Sequence, residues 1–74
     1  MHVRLEGEEQ VNVAMKAARE KSGKTQAQVA SEVGVSDRAY LYWEKGQKKP
    51  RVDIAIRIAK ALGTTVEALF REEG

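Results

Sequence analysis

Signals that start and stop helices recur at short intervals along this chain, and they restrict it to a series of short helices. The strongest start signal is Thr25, followed three residues later by Gln28. In such a pair, each side chain can satisfy a free backbone N–H at the beginning of a helix. The glycines that we expect to end helices or make turns are Gly23, Gly34, Gly46 and Gly63.

Between these signals, apolar residues recur at spacings of three and four, which places them on one face of each helix. The first helix is predicted from Gln10, and Ser36 and Thr65 can cap the third and the fifth. The expected core residues of the first, second and fourth helices are Val11, Met15, Ala18, Val29, Ala30, Val33, Val52, Ala55, Ile58, Ala59 and Leu62. Five helices with short connections exclude a β or α/β fold and predict an all-α, compact five-helix bundle.

The chain has 74 residues, the length of one small domain. Residues 1–9 mix apolar and charged side chains without a clear period, so we predict an N-terminal arm there and the folded domain over 10–74. Within the arm, Val3 and Leu5 could pair as a short strand.

Several classes of function conflict with the composition. With no cysteine and a single histidine, His2, neither a zinc module nor a nucleophile with its base is expected, so we predict no metal, no cofactor and no enzyme activity. Apolar runs are too short for a membrane span, and the first residues do not read as a signal peptide. We therefore expect a cytoplasmic protein without a membrane partner.

Charge is unevenly distributed along the chain. Residues 16–60 contain eleven Lys and Arg against five acidic residues, whereas the two flanks are acidic. A basic middle is consistent with a polyanionic partner, since Lys and Arg release counterions from phosphates, and equally with a solvated charged surface.

The second and third predicted helices, joined at a turn containing Gly34, have the form of a DNA-binding helix-turn-helix. The sequence resembles the phage repressor and Cro-like helix-turn-helix domains, the XRE family, over about residues 11–70. The stretches that carry the resemblance are 25–30 (TQAQVA), 34–36 (GVS), 43–46 (WEKG), Pro50 and 58–63 (IAKALG). The resemblance implies a lambda-repressor-like bundle whose third helix enters the major groove of double-stranded DNA, usually as a homodimer on a palindrome.

The resemblance also implies a set of contact residues. Arg38 is our first choice for base recognition because a guanidinium can donate two hydrogen bonds to guanine, and Gln26 is expected to fasten the second helix to the sugar-phosphate backbone. For Asp37 we favour a helix-start role over a base contact. The full DNA-binding set is Gln26, Ser36, Asp37, Arg38, Ala39, Leu41, Tyr42, Lys45, Lys48, Lys49 and Arg51.

Five residues, of which Arg51 already belongs to the DNA-binding set, receive a structural interpretation. Arg19 and Glu44 are expected to form an ion pair between the first and third helices. Tyr40 replaces the usual inward aliphatic residue, and Arg51 replaces the usual small capping residue. Trp43 is predicted to lie in the core.

Two functions remain open at this point. The first is a dimeric transcriptional regulator, in particular a repressor, with Val66, Leu69 and Phe70 as dimer candidates, joined by Ile54; for Leu69 we favour packing within its own domain. The alternative is an antitoxin or another module that binds a partner protein and autoregulates its operon.

Overall fold

The computed structural model describes residues 12–70, which form five α-helices and no strand. The helices are α1 (Val13–Lys21), α2 (Gln26–Val33), α3 (Asp37–Glu44), α4 (Val52–Leu62) and α5 (Val66–Phe70). The predicted all-α, five-helix fold is thus confirmed. The predicted arm over 1–9, with its suggested strand, and the predicted helix start at Gln10 lie outside the described residues, as does Val11.

Side-chain caps begin three of the helices where the sequence predicted them. Thr25 Oγ1 accepts from the backbone N–H of Gln28 at 3.1 Å, and Gln28 Oε1 accepts from the Thr25 N–H at 2.7 Å. Ser36 caps α3 by accepting from the N–H of Ala39, and Thr65 caps α5 in the same way. These caps satisfy N–H groups that have no partner inside their own helix.

The sequence analysis missed the cap of α1, which is Asn12. Its Oδ1 accepts from the N–H of Met15 at 2.9 Å, while its Nδ2 donates to the carbonyl oxygen of Leu69 at 2.9 Å. Its own backbone N–H donates to the carbonyl oxygen of Glu44. Asn12 therefore joins the start of α1 to α5 and to the end of α3. An Asn three residues before a buried apolar residue is a recognisable cap signal.

The turn between α2 and α3 depends on Gly34. Its φ is +88°, a left-handed conformation that residues with a Cβ rarely adopt, and its N–H donates to the carbonyl oxygen of Ala30. Three residues, 34–36, separate α2 from α3. The predicted helix-turn-helix geometry follows from this turn.

The core lies where α2 packs against α3 and α4, and α1 against α5. Its buried apolar residues are Met15, Val29, Ala30, Val33, Tyr40, Ala55, Ile58, Ala59, Leu62 and Leu69. One core expectation was wrong, because Val52 is 75% exposed. Trp43 and Ala18 pack against the core, as predicted, but are only partly buried.

In the part of the chain that the structure describes, each helix is too short or too polar to cross a lipid bilayer.

Candidate nucleic-acid interface

The first two residues of α3 are its exposed ones, whereas Tyr40, at the end of the first turn, is buried in the core. Ser36, Asp37 and Arg38 are exposed at this end of the helix. Ala39 is half-buried, as are Leu41 and Tyr42 further along. The predicted reading positions therefore share one helix and one local surface, with Arg38 as the exposed side chain able to donate to a base edge.

Tyr42 contacts the loop that follows α3. The ammonium of Lys48 lies 5.3 Å from the centre of the Tyr42 ring, within the range of a cation–π interaction. This contact holds part of the loop beside α3. It also gives Tyr42 a structural role in addition to the DNA contact that we predicted from the sequence.

The loop between α3 and α4 is strongly basic. Lys45, Lys48 and Lys49 are exposed, and the side chain of Arg51 is 84% exposed. Arg51 Nη2 lies 3.4 Å from Asp53 Oδ2, a surface ion pair of the kind that contributes little to stability. As the sequence predicted, Arg51 precedes α4 without a side-chain cap. The loop places its basic side chains directly after α3.

The predicted ion pair between Arg19 and Glu44 is present. Arg19 Nε donates to Glu44 Oε2 at 2.8 Å, and Nη2 donates to Oε1 at 3.2 Å. Arg19 Nη1 also donates to the carbonyl oxygen of Lys24. The pair joins the end of α1 to the end of α3, and Glu44 is only 4% exposed.

Gln26 contacts this pair, which the sequence analysis did not foresee. Its Nε2 donates to Glu44 Oε1 at 2.8 Å, so the side chain is half-buried against α3. One N–H of the amide and its carbonyl oxygen are not used in this bond. A contact from Gln26 to a phosphate, which accepts hydrogen bonds, would therefore use the remaining N–H or the backbone N–H.

Tyr40 completes the surroundings of Glu44. Its ring is fully buried, and its hydroxyl donates to Glu44 Oε2 at 2.9 Å. Burial, together with this hydrogen bond, raises the pKa of the Tyr40 hydroxyl well above its ordinary value. For Glu44, burial alone would raise the pKa, but hydrogen bonds from Arg19, Gln26 and Tyr40 outweigh it and lower the pKa.

An open groove lies between the end of α1, the start of α2 and the end of α3. Its basic lining residues are Lys16, Arg19, Lys24 and Lys45. The sequence analysis assigned a DNA contact only to Lys45. Lys16 precedes Arg19 by three residues, a spacing that places both on the same face of α1. The sequence therefore already indicated that Lys16 lies beside Arg19. The ammonium of Lys24 already makes two hydrogen bonds, which it donates to Glu32 Oε1 and to the carbonyl oxygen of Ala61.

The dimer candidates differ in exposure. Leu69 is 3% exposed and belongs to the core of its own domain, the role that we favoured for it. Val66, Phe70 and Ile54 pack against that core but remain half-buried. The exposed large apolar residues of the described part are instead Val13, Val52 and Ile56, of which the last two lie one turn apart on α4.

Comparisons with known proteins agree with this geometry. A helix-turn-helix family model matches residues 15–69. The chain is 36% identical over 52 residues to an uncharacterized HTH-type transcriptional regulator of Archaeoglobus fulgidus, covering 70% of this chain and 74% of that protein. It is 39% identical over 46 residues to the cryptic phage CTXphi transcriptional repressor RstR of Vibrio cholerae, covering 62% of this chain but only 41% of that protein.

Proposed function

Because the chain belongs to the XRE-type helix-turn-helix family, we propose that it is a transcriptional regulator that binds double-stranded DNA in a sequence-specific manner and represses transcription. The observation that carries the proposal is that Arg38 is exposed at the start of α3 while an exposed basic loop follows the end of the same helix. This arrangement suits insertion of α3 into the major groove.

Base recognition is assigned to the exposed face of α3. The guanidinium of Arg38 can donate to O6 and N7 of a guanine, a pairing that contributes roughly 1–3 kcal/mol of discrimination. Ala39, Leu41 and Tyr42 are the candidates for contacts with thymine methyl groups or the rim of the groove. Asp37 lies in the first turn of α3, where a carboxylate complements the helix dipole.

Contacts with the phosphates are assigned to three places. These are the start of α2 with Gln26, the cap of α3 with Ser36, and the loop with its basic residues. The loop residues proposed to neutralise phosphates are Lys45, Lys48, Lys49 and Arg51. Such contacts hold the protein in register but read no sequence, so they raise affinity for every duplex.

A second copy of the chain completes the proposed DNA complex. We assign the contact between the two copies to the apolar side chains left uncovered on α4 and α5, namely Val52, Ile56, Val66 and Phe70. Two copies related by a two-fold axis would place two α3 helices in successive major grooves.

Selection of binding sites from random duplex DNA tests the proposal. We expect a palindrome with half-sites about 10 base pairs apart. Arg38→Ala should lose the preference for guanine at one position of each half-site. Lys60→Ala is the matched control, because Lys60 is an exposed cation on α4 that the proposal leaves without a role.

Repression is tested by placing the selected palindrome across a promoter and measuring reporter expression. Expression should fall with the wild-type protein and recover with Arg38→Ala. If no sequence is enriched by the wild-type protein, the DNA-reading proposal is wrong, and binding of a partner protein, the antitoxin-like alternative, becomes the leading hypothesis.

A further inference from the structure

The carboxylate of Glu44 accepts four hydrogen bonds from three side chains. Oε1 accepts from Arg19 Nη2 and Gln26 Nε2, and Oε2 accepts from Arg19 Nε and Tyr40 OH. We call Glu44 and its three donors, Arg19, Gln26 and Tyr40, the Glu44 cluster. They come from α1, α2 and α3, so the cluster determines how both helices of the helix-turn-helix unit are held against α1.

The three donors share the two oxygens of the carboxylate. Arg19 donates to both oxygens and neutralises the charge, while Gln26 and Tyr40 each donate to one oxygen. A carboxylate offers about four lone-pair sites, so the cluster uses its accepting capacity in full. Rotation of the Glu44 carboxylate would break bonds to the outer donors, which couples the position of the Gln26 amide to that of the Tyr40 hydroxyl.

Water is poorly placed to substitute for the Tyr40 hydroxyl. Glu44 is 4% exposed, and Tyr40 is fully buried. An apolar ring in place of Tyr40 would fill the same core volume but leave Oε2 with Arg19 Nε as its remaining donor. A buried acceptor that loses a partner is destabilised, and a shift of the carboxylate towards Arg19 would relieve this.

We propose that Tyr40 is a positioning residue for DNA binding, whose hydroxyl holds the Glu44 carboxylate in the orientation that fixes the Gln26 amide at the start of α2. This inference rests on the proposed function, since Gln26 is placed there as a phosphate contact. Tyr40 itself is buried and touches no DNA.

The test uses Tyr40→Phe, which keeps the ring and removes only the hydroxyl. In the free protein, NMR of side-chain amides should show the Gln26 resonance moving towards that of Gln47, an exposed glutamine that serves as an internal reference. The selected duplex should be bound about threefold to tenfold more weakly, the loss expected for one hydrogen bond.

Two controls separate positioning from stability. Ile58→Val shortens a buried side chain outside the cluster and should lower stability without moving the Gln26 resonance or weakening DNA binding. In a double-mutant cycle, Tyr40→Phe combined with Gln26→Ala should bind DNA no more weakly than Gln26→Ala alone, because Tyr40 acts through Gln26.

The experiments distinguish failure of the role of Tyr40 from failure of the proposed function. An unmoved Gln26 resonance, a loss of affinity matched by Ile58→Val, or additive losses in the cycle would each overturn the role of Tyr40 and leave the proposed function standing. If the wild-type protein enriches no sequence from random duplex DNA, the proposed function fails, and the DNA role of Tyr40 fails with it, whatever the NMR spectrum shows.

Discussion

Glu44 combines a negative charge with almost complete burial, a combination that proteins sustain only when the charge has close partners. Here Arg19 supplies the opposite charge, and Gln26 and Tyr40 supply further donors. The ion pair was expected from the sequence, whereas the two outer donors were not. Single substitutions in this cluster should therefore have effects larger than those of surface ion pairs.

Arg19→Ala should lower the free energy of unfolding by about 3 kcal/mol, because it leaves the buried Glu44 carboxylate without its charged partner. Urea denaturation followed by circular dichroism measures the effect. Glu32→Ala is the matched control, since it removes the more exposed pair with Lys24, and a loss under about 1 kcal/mol is expected. Equal losses in the two variants would contradict a special role for the buried pair.

The same cluster predicts how stability depends on pH. Since the pKa of Glu44 is lowered in the folded protein, the stabilisation is present above the ordinary value of 4.5 and is lost as the pH falls below it towards the folded-state pKa. The pKa of Tyr40 is raised above its ordinary value of 10.0 by burial and by the bond to Glu44, so stability should fall as the pH rises beyond about 10.

Urea denaturation of wild-type protein and Tyr40→Phe across this pH range measures both effects. The two proteins should differ in the alkaline limb, where the variant lacks the titrating hydroxyl and should lose less stability. Parallel curves above pH 10 would show that Tyr40 does not titrate differently in the folded and unfolded states, contrary to the prediction.

Among the elements, α4 begins differently from its neighbours. A side chain caps α2, α3 and α5, but Arg51 stands at the start of α4 without making such a bond. Arg51 is at the same time an exposed cation in the loop proposed to follow the phosphates. Stability and DNA binding therefore make opposing demands on this one position.

Arg51→Ser should separate these demands. A serine cap is expected to raise the free energy of unfolding by about 1 kcal/mol, while loss of the cation weakens binding to all duplexes alike. Denaturation and DNA titration at several salt concentrations measure the two effects, and the salt slope should become shallower by about one. Arg51→Lys is the control, because it keeps the charge without adding a cap. A gain in stability without any loss of affinity would remove Arg51 from the proposed phosphate contacts.

At the scale of the whole molecule, the basic residues of α3 and its loop act together as an electrostatic surface. If about five phosphates are neutralised, log K should fall with log salt at a slope near −4 to −5. Fluorescence anisotropy with the selected duplex measures the slope. Lys48→Ala should make it shallower by about one, whereas Lys60→Ala should leave it unchanged. A slope near zero for the wild-type protein would contradict the proposed phosphate contacts.

Association of two copies is also a property of the whole molecule. Val52→Lys should leave the fold intact, since Val52 is exposed, but should abolish cooperative binding to the palindrome while preserving binding to a half-site. Sedimentation of protein with each duplex distinguishes the two cases. Val13→Lys, which alters another exposed valine, on α1, is the control. Unchanged binding of two copies by Val52→Lys would exclude the proposed α4 contact.

The sequence by itself determined the number of helices, most of their boundaries and the helix-turn-helix unit. Those features depend on short-range rules, since a cap bonds to an N–H three residues away and an apolar face repeats within two turns. For this reason the sequence alone predicted the capping box at Thr25, the turn at Gly34 and the cap at Ser36.

Only the tertiary structure decided which side chains are covered and which distant groups meet. Val52 has core spacing yet none of the helices within residues 12–70 covers it, and Trp43 is only partly buried against the core. Asn12 reaches Leu69, and Gln26 and Tyr40 converge on Glu44. Periodicity shows which face of a helix is apolar, but not what packs against that face or how a hydrogen bond is shared between helices. Those outcomes depend on the relative placement of all the helices at once.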